Sequence, residues 1–247
     1  MDLIERLPAG APRHPWEIAR SKFILSLLRY YKLSTYSTWL DVGCGDAWLA
    51  RRILQSITSS PRFVGWDINY NDQDIATLTN DTQIELVAEQ PSGQFQVILM
   101  LDVLEHIAND TSFLRHVVLN LLEANGWILI TVPAYQFLFS EHDRILQHFR
   151  RYSPSACRQL LIASGLQIVN QGGLYSSLLL ARLAQKLPVG HPTNVRKTAA
   201  VWNQSSTLTN VLTSVLESEG AFDFWLSLKC QRVLPGLSYW AVCRKSN

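Results

Sequence analysis

The chain alternates short, nearly continuous apolar runs with segments in which apolar residues recur every three or four positions. The first pattern is typical of buried strands and the second of helices that pack on one side. The apolar runs predict strands at 37–43, 62–68, 84–88, 95–103, 126–133, 166–173 and 237–245. The periodic segments predict helices at 15–32, 47–57, 71–80, 110–124 and 153–165. This alternation predicts an α/β fold with a doubly wound, seven-stranded and mostly parallel sheet.

The predicted elements divide the chain into a core and two helical parts. We expect residues 1–36 to form an N-terminal helical cover, and residues 37–172 with 233–247 to form the α/β core. Residues 173–232 interrupt the sheet before its last strand as a helical insertion. Two interpretations of the insertion are open: a cap that forms one wall of a pocket, or a surface that contacts a membrane through residues 174–189.

Composition narrows the classes of partner. With 47% hydrophobic and 17% charged residues, the 247-residue chain can bury a sizeable core. Its net charge of +2 comes from mixed signs, which argues against a nucleic-acid partner. The four cysteines form no CxxC pair and no secretory signal is visible, so a cytoplasmic location is expected. Residues 174–189 contain Arg182 and Lys186 and are too short to span a bilayer, so peripheral contact is the membrane alternative.

A glycine-rich turn joins the first predicted strand to its helix in the stretch WLDVGCGDAWLARRIL, residues 39–54. Such a turn lies at the carboxyl edge of an α/β sheet, where ligands bind, and Gly43 and Gly45 allow a ligand to approach the backbone closely. A dinucleotide fingerprint requires a third glycine where Trp48 stands. The lysine and hydroxyl of a phosphate loop are also absent. The turn therefore argues against both nicotinamide dinucleotides and nucleoside triphosphates.

The stretch LDVGCGDA resembles the first motif of the class I S-adenosylmethionine-dependent methyltransferases through Asp41, Gly43, Cys44 and Gly45. Ala47 takes the place of a frequent third glycine and is the next smallest residue. The resemblance implies that S-adenosylmethionine is the cofactor and that this turn binds it. Without the resemblance, Asp41 is equally well explained as a support for the turn.

A carboxylate at the end of the second predicted strand strengthens the resemblance. In GWDIN, it places Asp67 where its carboxylate accepts hydrogen bonds from both ribose hydroxyls, with Ile68 also at the cofactor. A helix cap is the competing explanation of Asp67. The family also has an acid near the adenine amino group, and both Glu85 and Glu89 are candidates for it.

The stretch FQVILMLDVLEHIAND, residues 95–110, is similar to the fourth strand and following loop of methyltransferases related to ubiquinone and other small-molecule enzymes. The resemblance implies that Leu101, Asp102 and His106 are cofactor-binding residues, with Asp102 beside the methionine end. His106 is equally well explained as a residue that holds the loop.

Three further stretches extend the resemblance over almost the whole chain, to bacterial methyltransferases of type 11 and type 12. They are HPWEIAR (14–20), VPAYQFLFSEHDRILQHFRRYS (132–153) and VLPGLSYWAVCRK (233–245). Members of this branch tend to occur among envelope, polysaccharide or secondary-metabolite functions. Their N-terminal helix covers the cofactor, which implies that Trp16 and Arg20 close the site. A Trp that docks the helix and an Arg on its solvent side are the competing explanation.

The segment after the fifth predicted strand carries the candidates for acceptor chemistry. These are Tyr135, Glu141, His142, Asp143 and His148. His142 is the favoured general base, because imidazole titrates near neutral pH and the acids on either side of it can orient it. His148 with Arg150 and Arg151 either holds an anionic acceptor or belongs to an ionic network that fixes the loop. No HxxxH or comparable ligand spacing occurs, so no metal is expected.

These features together predict methyl transfer from S-adenosylmethionine to an oxygen or nitrogen atom of a small-molecule acceptor, or of a lipid- or saccharide-linked one. Two alternatives from other classes stay open. One is an NAD(P)-dependent oxidoreductase, against which Trp48 counts. The other is a non-catalytic scaffold that keeps the fold and binds a partner through the 173–232 insertion.

Overall fold

The computed structural model describes residues 11–57, 60–79, 83–186, 202, 204–230 and 233–246. The strands are β1 (Thr38–Val42), β2 (Arg62–Trp66), β3 (Ile84–Val87), β4 (Phe95–Leu101), β5 (Leu122–Pro133), β6 (Leu166–Leu174) and β7 (Ser238–Lys245). The helices are α1 (Pro15–Tyr30), α2 (Trp48–Ser56), α3 (Asp72–Thr79), α4 (Asp110–His116), α5 (Glu141–Ile145), α6 (Pro154–Ala163), α7 (Ser176–Lys186) and α8 (Ser206–Cys230).

The seven strands form one sheet in the order β3-β2-β1-β4-β5-β7-β6. Strands β1 to β5 pair in parallel, and β7 runs antiparallel between β5 and β6. The predicted doubly wound, mostly parallel sheet is confirmed. The strand order reverses between β1 and β4, and in such sheets the crevice at the carboxyl ends of these two strands is where ligands bind.

Helices cover both faces of the sheet. Helices α1, α2, α3 and α8 pack on one face around Trp39 and Trp240, and α4 and α6 pack on the other. Helix α8 also packs against α1: the Phe23 ring lies 6.2 Å from Phe224. Lys22 of α1 forms a 2.7 Å ion pair with Glu217 of α8. The first helix and the insertion therefore stabilise each other over the same face.

The predicted helix at 110–124 is too long. After α4 the chain continues as a π-helical turn over Val117–Leu121, and β5 begins at Leu122, which pairs with Phe95. The Asn125–Gly126 pair, expected to end the helix, lies instead within the strand, where the pairing register shifts. Leu122 is completely buried. Burial of this side chain between strand and helices outweighs the local signal for the end of a helix.

Helices α7 and α8 occupy the predicted insertion. Because β6 extends through Leu174, the helical part begins at Ser176, slightly later than expected. Residues 187–201 of the insertion, with Arg196 and the GHPTN stretch, lie outside the described residues, as does the side chain of Lys186. Among the described helices, none combines the length and apolar character needed to cross a bilayer.

Candidate functional site

The turn after β1 has a backbone that only small residues adopt readily. Gly43 and Gly45 have φ values of +68° and +58°, in the left-handed region. Ala47, at the position of the frequent third glycine, has φ of +56° and precedes the first residue of α2. A Cβ on Gly43 would lie 2.8 Å from Cγ2 of Val103. The turn therefore presents bare backbone to the crevice.

Asp67 follows β2 and faces this turn. Its Oδ2 accepts a 3.1 Å hydrogen bond from the Gly45 amide, and its Oδ1 accepts one of 3.0 Å from the Asn69 amide. Oδ1 also accepts a 3.2 Å hydrogen bond from Nδ2 of Asn69. A carboxylate offers about four lone-pair positions, so one position on Oδ2 remains for a ligand hydroxyl. The next residue, Ile68, is 72% exposed. The structure thus brings together the two features on which the sequence interpretation depends.

Asp41 and Cys44 are buried inside the protein, where they support the glycine turn. Both are buried, and neither is among the described residues that line the cavity. Burial raises the pKa of Asp41 to about 6, although a hydrogen bond with the Cys44 side chain lowers it. A Cβ on Gly65 of β2 would lie 2.7 Å from the Cys44 sulfur, which shows how closely the turn packs on the sheet. The structure favours the supporting role for these two residues.

Arg20 of α1 connects the N-terminal helix to the end of β4. Its Nη1 lies 2.6 Å from Oδ2 of Asp102, and its Nη2 donates a 2.7 Å hydrogen bond to Oγ1 of Thr131. Thr131 in turn donates to Oδ1 of Asp102 at 2.8 Å. Asp102 has φ of +58°, which turns the chain sharply after the strand. The Trp16 ring lies beside this triad, with its centroid 5.6 Å from the Arg20 guanidinium carbon.

Glu105 and His106 follow in a 3₁₀ turn, Leu104–His106. Glu105 is completely buried, and neither of its carboxylate oxygens has a hydrogen-bond partner among the described residues. Burial, with the negative charge of Asp102 as a second cause, raises the pKa of Glu105 well above its ordinary value. The His106 ring packs edge to face on the His148 ring, with centroids 4.5 Å apart.

Asp143 organises the segment after β5. Its buried carboxylate accepts hydrogen bonds from Ser140, from Nδ1 of His148 at 3.0 Å and from Nε of Arg151 at 2.7 Å. Burial alone would raise the pKa of Asp143, but the contacts with His148 and Arg151 hold it below its ordinary value. The Phe149 amide donates a 2.7 Å bond to the Glu105 carbonyl, which ties this segment to the turn after β4.

The Asp143 carboxylate, which was expected to orient His142, contacts His148. The sequence suggested that the flanking acids orient His142, but the Asp143 carboxylate contacts His148, and Glu141 pairs at 3.0 Å with Arg144 on the exposed surface. Successive residues of a helix point about 100° apart, so neighbours in the sequence need not contact one another. Tyr135 packs beside Phe137, with ring centroids 5.4 Å apart.

The arginines of this segment are engaged within the protein. Arg150 forms a 2.7 Å ion pair with Asp110, and Arg151 pairs with Asp143. These contacts favour an ionic network over direct binding of an anion. Of the two acids considered for adenine, Glu85 is exposed and pairs with Arg62, and Glu89 is exposed. Neither acid is among the described residues that line the cavity.

One cavity of about 1370 Å³ connects these groups. Its lining includes Gly43, Asp67 and Ile68 from the first two strands' carboxyl ends, Arg20, Asp102 and His106, and also His142 and His148. Trp16, Leu101 and α7 residues including Leu178 and Ala181 complete the wall. Tyr135 and Glu141 are not among the described lining residues. Ligand cavities commonly measure about 300–1000 Å³, so this one has room for a cofactor and an acceptor together.

Sequence reasoning missed Thr131, which connects Arg20 to Asp102. The signal for Thr131 was present, because it is a polar residue near the end of an otherwise apolar strand. Asp143 was named from the sequence, but its contacts with His148 and Arg151 were not, since these partners are five and eight residues away along the chain.

These residues suit a nucleoside-bearing cofactor. The left-handed glycine turn provides backbone without side chains, and Asp67 provides a carboxylate with unused acceptor capacity at the same end of the cavity. The Cβ absent at Gly43 would meet Val103 on the cavity wall. The ribose of S-adenosylmethionine offers hydroxyls to the Asp67 carboxylate. The cofactor has no phosphate, which fits a turn that lacks the residues of a phosphate-binding loop.

Known structures share the fold. The chain resembles a putative sarcosine dimethylglycine methyltransferase from Galdieria sulphuraria, at 14% identity and TM-score 0.55, over 92% of this chain and 85% of that one. It also resembles the plantazolicin methyltransferase BpumL, solved with a substrate analogue and S-adenosylhomocysteine, at 13% identity and TM-score 0.54 over 94% and 85%. A third similar structure is the putative methyltransferase in a complex with the Haloferax volcanii Trm112 methyltransferase activator. The identity is 13% and the TM-score 0.52, over 93% of this chain and 94% of that one.

The sequence comparison goes further than these similarities of fold. No curated protein sequence matches the chain. The family model described as "Methyltransferase domain" matches residues 13–171, more than half of the 247 residues. The match includes the glycine turn, Asp67, Asp102 and the segment that carries His142 and His148. The chain therefore belongs to the methyltransferase domain family and is an S-adenosylmethionine-dependent methyltransferase.

Proposed function

We propose that the protein transfers the methyl group of S-adenosylmethionine to an oxygen or nitrogen atom of a small-molecule acceptor, or of a lipid- or saccharide-linked one. The observation that carries this proposal is that Gly43 of the glycine turn lines the same cavity as His142 and His148. S-adenosylmethionine supplies a methyl carbon already activated by the positive sulfur. The protein's contribution is then to hold both partners in line and to exclude water.

For the cofactor end, we propose that Asp67 accepts hydrogen bonds from the ribose hydroxyls and that the backbone at Gly43 lies along the nucleoside. Ile68 and Leu101 pack against it from the cavity wall. Arg20 and Asp102 hold the methionine end, because both line the cavity and their ion pair fixes the positions of the two side chains. Trp16 closes the site together with α1.

For the acceptor end, His142 is the proposed general base, since it lines the cavity and an imidazole titrates near neutral pH. Asp143 fixes His148 in place, so His148 contributes a rigid wall group. Tyr135 and Glu141 have no part in this proposal, because they lie outside the described lining.

Helix α7 supports the cap interpretation of the insertion. Leu178, Ala181 and Arg182 line the cavity, so this helix would shape the acceptor pocket. A second interpretation comes from the opposite side of the helix, where Leu180 is 65% exposed. This apolar surface suits peripheral contact of residues 174–189 with a membrane that presents a lipid-linked acceptor, although 187–189 lie outside the described residues. Nucleic acid is not a proposed acceptor.

Methyl-labelled cofactor incubated with aqueous and lipid fractions of a cell extract tests both interpretations. Label in the aqueous fraction supports the cap, and label only in the lipid fraction supports membrane contact. Asp67→Ala is the control, because it should abolish labelling while leaving the fold intact. Cofactor binding without label in either fraction would contradict the proposal and favour the non-catalytic scaffold.

A further inference from the structure

Glu105 is a completely buried acid that the proposed cofactor and acceptor roles leave unused. Both of its oxygens lack hydrogen-bond partners among the described residues. The two guanidinium groups nearby contact other carboxylates: Arg20 contacts Asp102, and Arg151 contacts Asp143. A buried carboxylate is strongly unfavourable unless a donor or a cation satisfies it. This unsatisfied acid lies on the wall of the cavity.

Two imidazoles converge on the same point. One ligand atom from each of Glu105, His106 and His148 lies within 4.8 Å of the others. The three side chains come from two separate segments, which the hydrogen bond from the Phe149 amide to the Glu105 carbonyl holds together. The arrangement therefore depends on tertiary structure, which explains why no local sequence spacing indicated it.

His148 is oriented in the way that is typical of a metal ligand. Its Nδ1 contacts the buried Asp143 carboxylate at 3.0 Å, and Asp143 is itself fixed by Ser140 and Arg151. This contact fixes the plane of the ring and leaves Nε2 as the nitrogen for ligation. Metal-binding histidines almost always have such a partner on the second ring nitrogen, commonly a carboxylate.

We propose that Glu105, His106 and His148 bind one divalent transition-metal ion, of which Zn²⁺ is the representative. Two imidazoles and one carboxylate are a ligand set that suits Zn²⁺ and neighbouring transition metals better than Mg²⁺ or Ca²⁺. Three protein ligands leave a coordination position for a further group. All three ligands line the cavity in which the acceptor is proposed to bind.

The role of the ion in catalysis rests on the proposed function. The ion binds a hydroxyl oxygen of the acceptor and lowers the pKa of that hydroxyl, as metal ions do for water. His142, the proposed general base, accepts the hydroxyl proton, and the oxygen forms the new bond to the methyl carbon. The sulfur keeps the electron pair of the sulfur–carbon bond that breaks. This inference selects acceptors with an ionisable hydroxyl over amines.

Metal binding can be measured independently of methyl transfer. Protein stripped with EDTA is titrated with Zn²⁺ by calorimetry, and with Co²⁺ by its visible d–d absorption. We expect one ion per chain and a Co²⁺ band. Glu105→Gln and His106→Gln should each weaken Zn²⁺ binding by about 100-fold or more and remove the band. His116→Ala is the matched control and should change neither, since His116 is exposed and its ring nitrogens form hydrogen bonds with Gln90 and Asn120.

Circular dichroism and S-adenosylhomocysteine binding show that each variant is folded. Failure of the wild-type protein to bind either ion, or binding that both variants retain, would overturn the site. Methyl transfer by metal-free protein would overturn the catalytic role of the ion and leave the proposed function standing. Metal binding without methyl transfer to any fraction would contradict the proposed function and leave the site standing.

Discussion

At the scale of single residues, the site depends most on backbone that cannot carry a side chain. Gly43 combines a left-handed φ with a neighbour, Val103, that already occupies the space of a Cβ. Gly93 provides the contrast: its φ is +91°, but a Cβ there would meet nothing within 4 Å. The two glycines therefore separate the cost of backbone strain from the cost of steric overlap.

We predict that Gly43→Ala weakens S-adenosylhomocysteine binding at least 10-fold and lowers the free energy of unfolding by about 2–3 kcal/mol, through strain and overlap together. Gly93→Ala should cost about 1 kcal/mol from strain alone and leave binding unchanged. Calorimetric titration and urea unfolding measure both effects. Equal losses of stability in the two variants would contradict the role assigned to Val103.

The sequence predicted some of these residues better than others, for physical reasons. Gly43, Gly45 and Asp67 belong to local signals, a turn or an acid next to a strand, and a hydrogen bond joins the Gly45 amide to Asp67. Which side chain the Asp143 carboxylate contacts depends on how α5 packs against the residues that follow it. For that reason, the sequence did not indicate that the Asp143 carboxylate contacts His148.

At the scale of elements, two contacts of different kinds attach α1 to the rest of the molecule. Arg20, partly buried on the wall of the cavity, reaches Asp102 and Thr131. Lys22 pairs with Glu217 of α8 at the surface. Exposed ion pairs contribute about 0–1 kcal/mol, whereas a partly buried guanidinium with two partners contributes more.

We predict that Arg20→Ala lowers the free energy of unfolding by about 1–2 kcal/mol, speeds amide hydrogen exchange along α1 and weakens S-adenosylhomocysteine binding about 10-fold. Lys22→Ala, on the same helix, should cost less than about 1 kcal/mol and leave binding unchanged. Exchange followed by mass spectrometry and calorimetric titration measure these effects. Similar behaviour of the two variants would show that Arg20 does not tether α1 over the site.

Hydrophobic periodicity was sufficient to predict the elements, because seven buried runs and the helical faces between them are each encoded locally. The boundary between α4 and β5 was not predictable in this way. The Asn125–Gly126 pair is a common signal for the end of a helix, but here a tertiary contact, the pairing of Leu122 with Phe95, decides where the strand begins. The packing of α8 on α1 joins segments about two hundred residues apart and has no local signature.

At the scale of the whole molecule, buried acids make stability depend on pH. Asp223 of α8 is 5% exposed, and burial raises its pKa to about 6. The Tyr175 amide donates to its Oδ2 at 3.1 Å. In an unfolded chain this group titrates near about 3.9. The folded state therefore binds the proton more tightly, and stability is lost as the pH rises from about 4 to about 6.

We predict that Asp223→Asn raises the free energy of unfolding by about 1 kcal/mol at pH 7 and reduces the decline of stability between pH 4 and pH 6. The amide oxygen of Asn can still accept the hydrogen bond from the Tyr175 amide, so the change removes the charge and keeps this contact. Part of the decline should remain, because Asp41 also has a pKa raised to about 6. Urea unfolding at several pH values measures the slope, and an unchanged slope would contradict the assignment.

The packing of Phe23 against Phe224 and Trp240 also constrains the order in which the protein is assembled on the ribosome. Helix α1 is synthesised early, but the aromatic surface that covers it emerges only when β7 and α8 have been translated. Until then, one side of α1 offers apolar rings to the solvent and to chaperones. Contacts between such distant segments form slowly. The nascent chain therefore completes its methyl-transfer cavity last, when α1 finally closes over it.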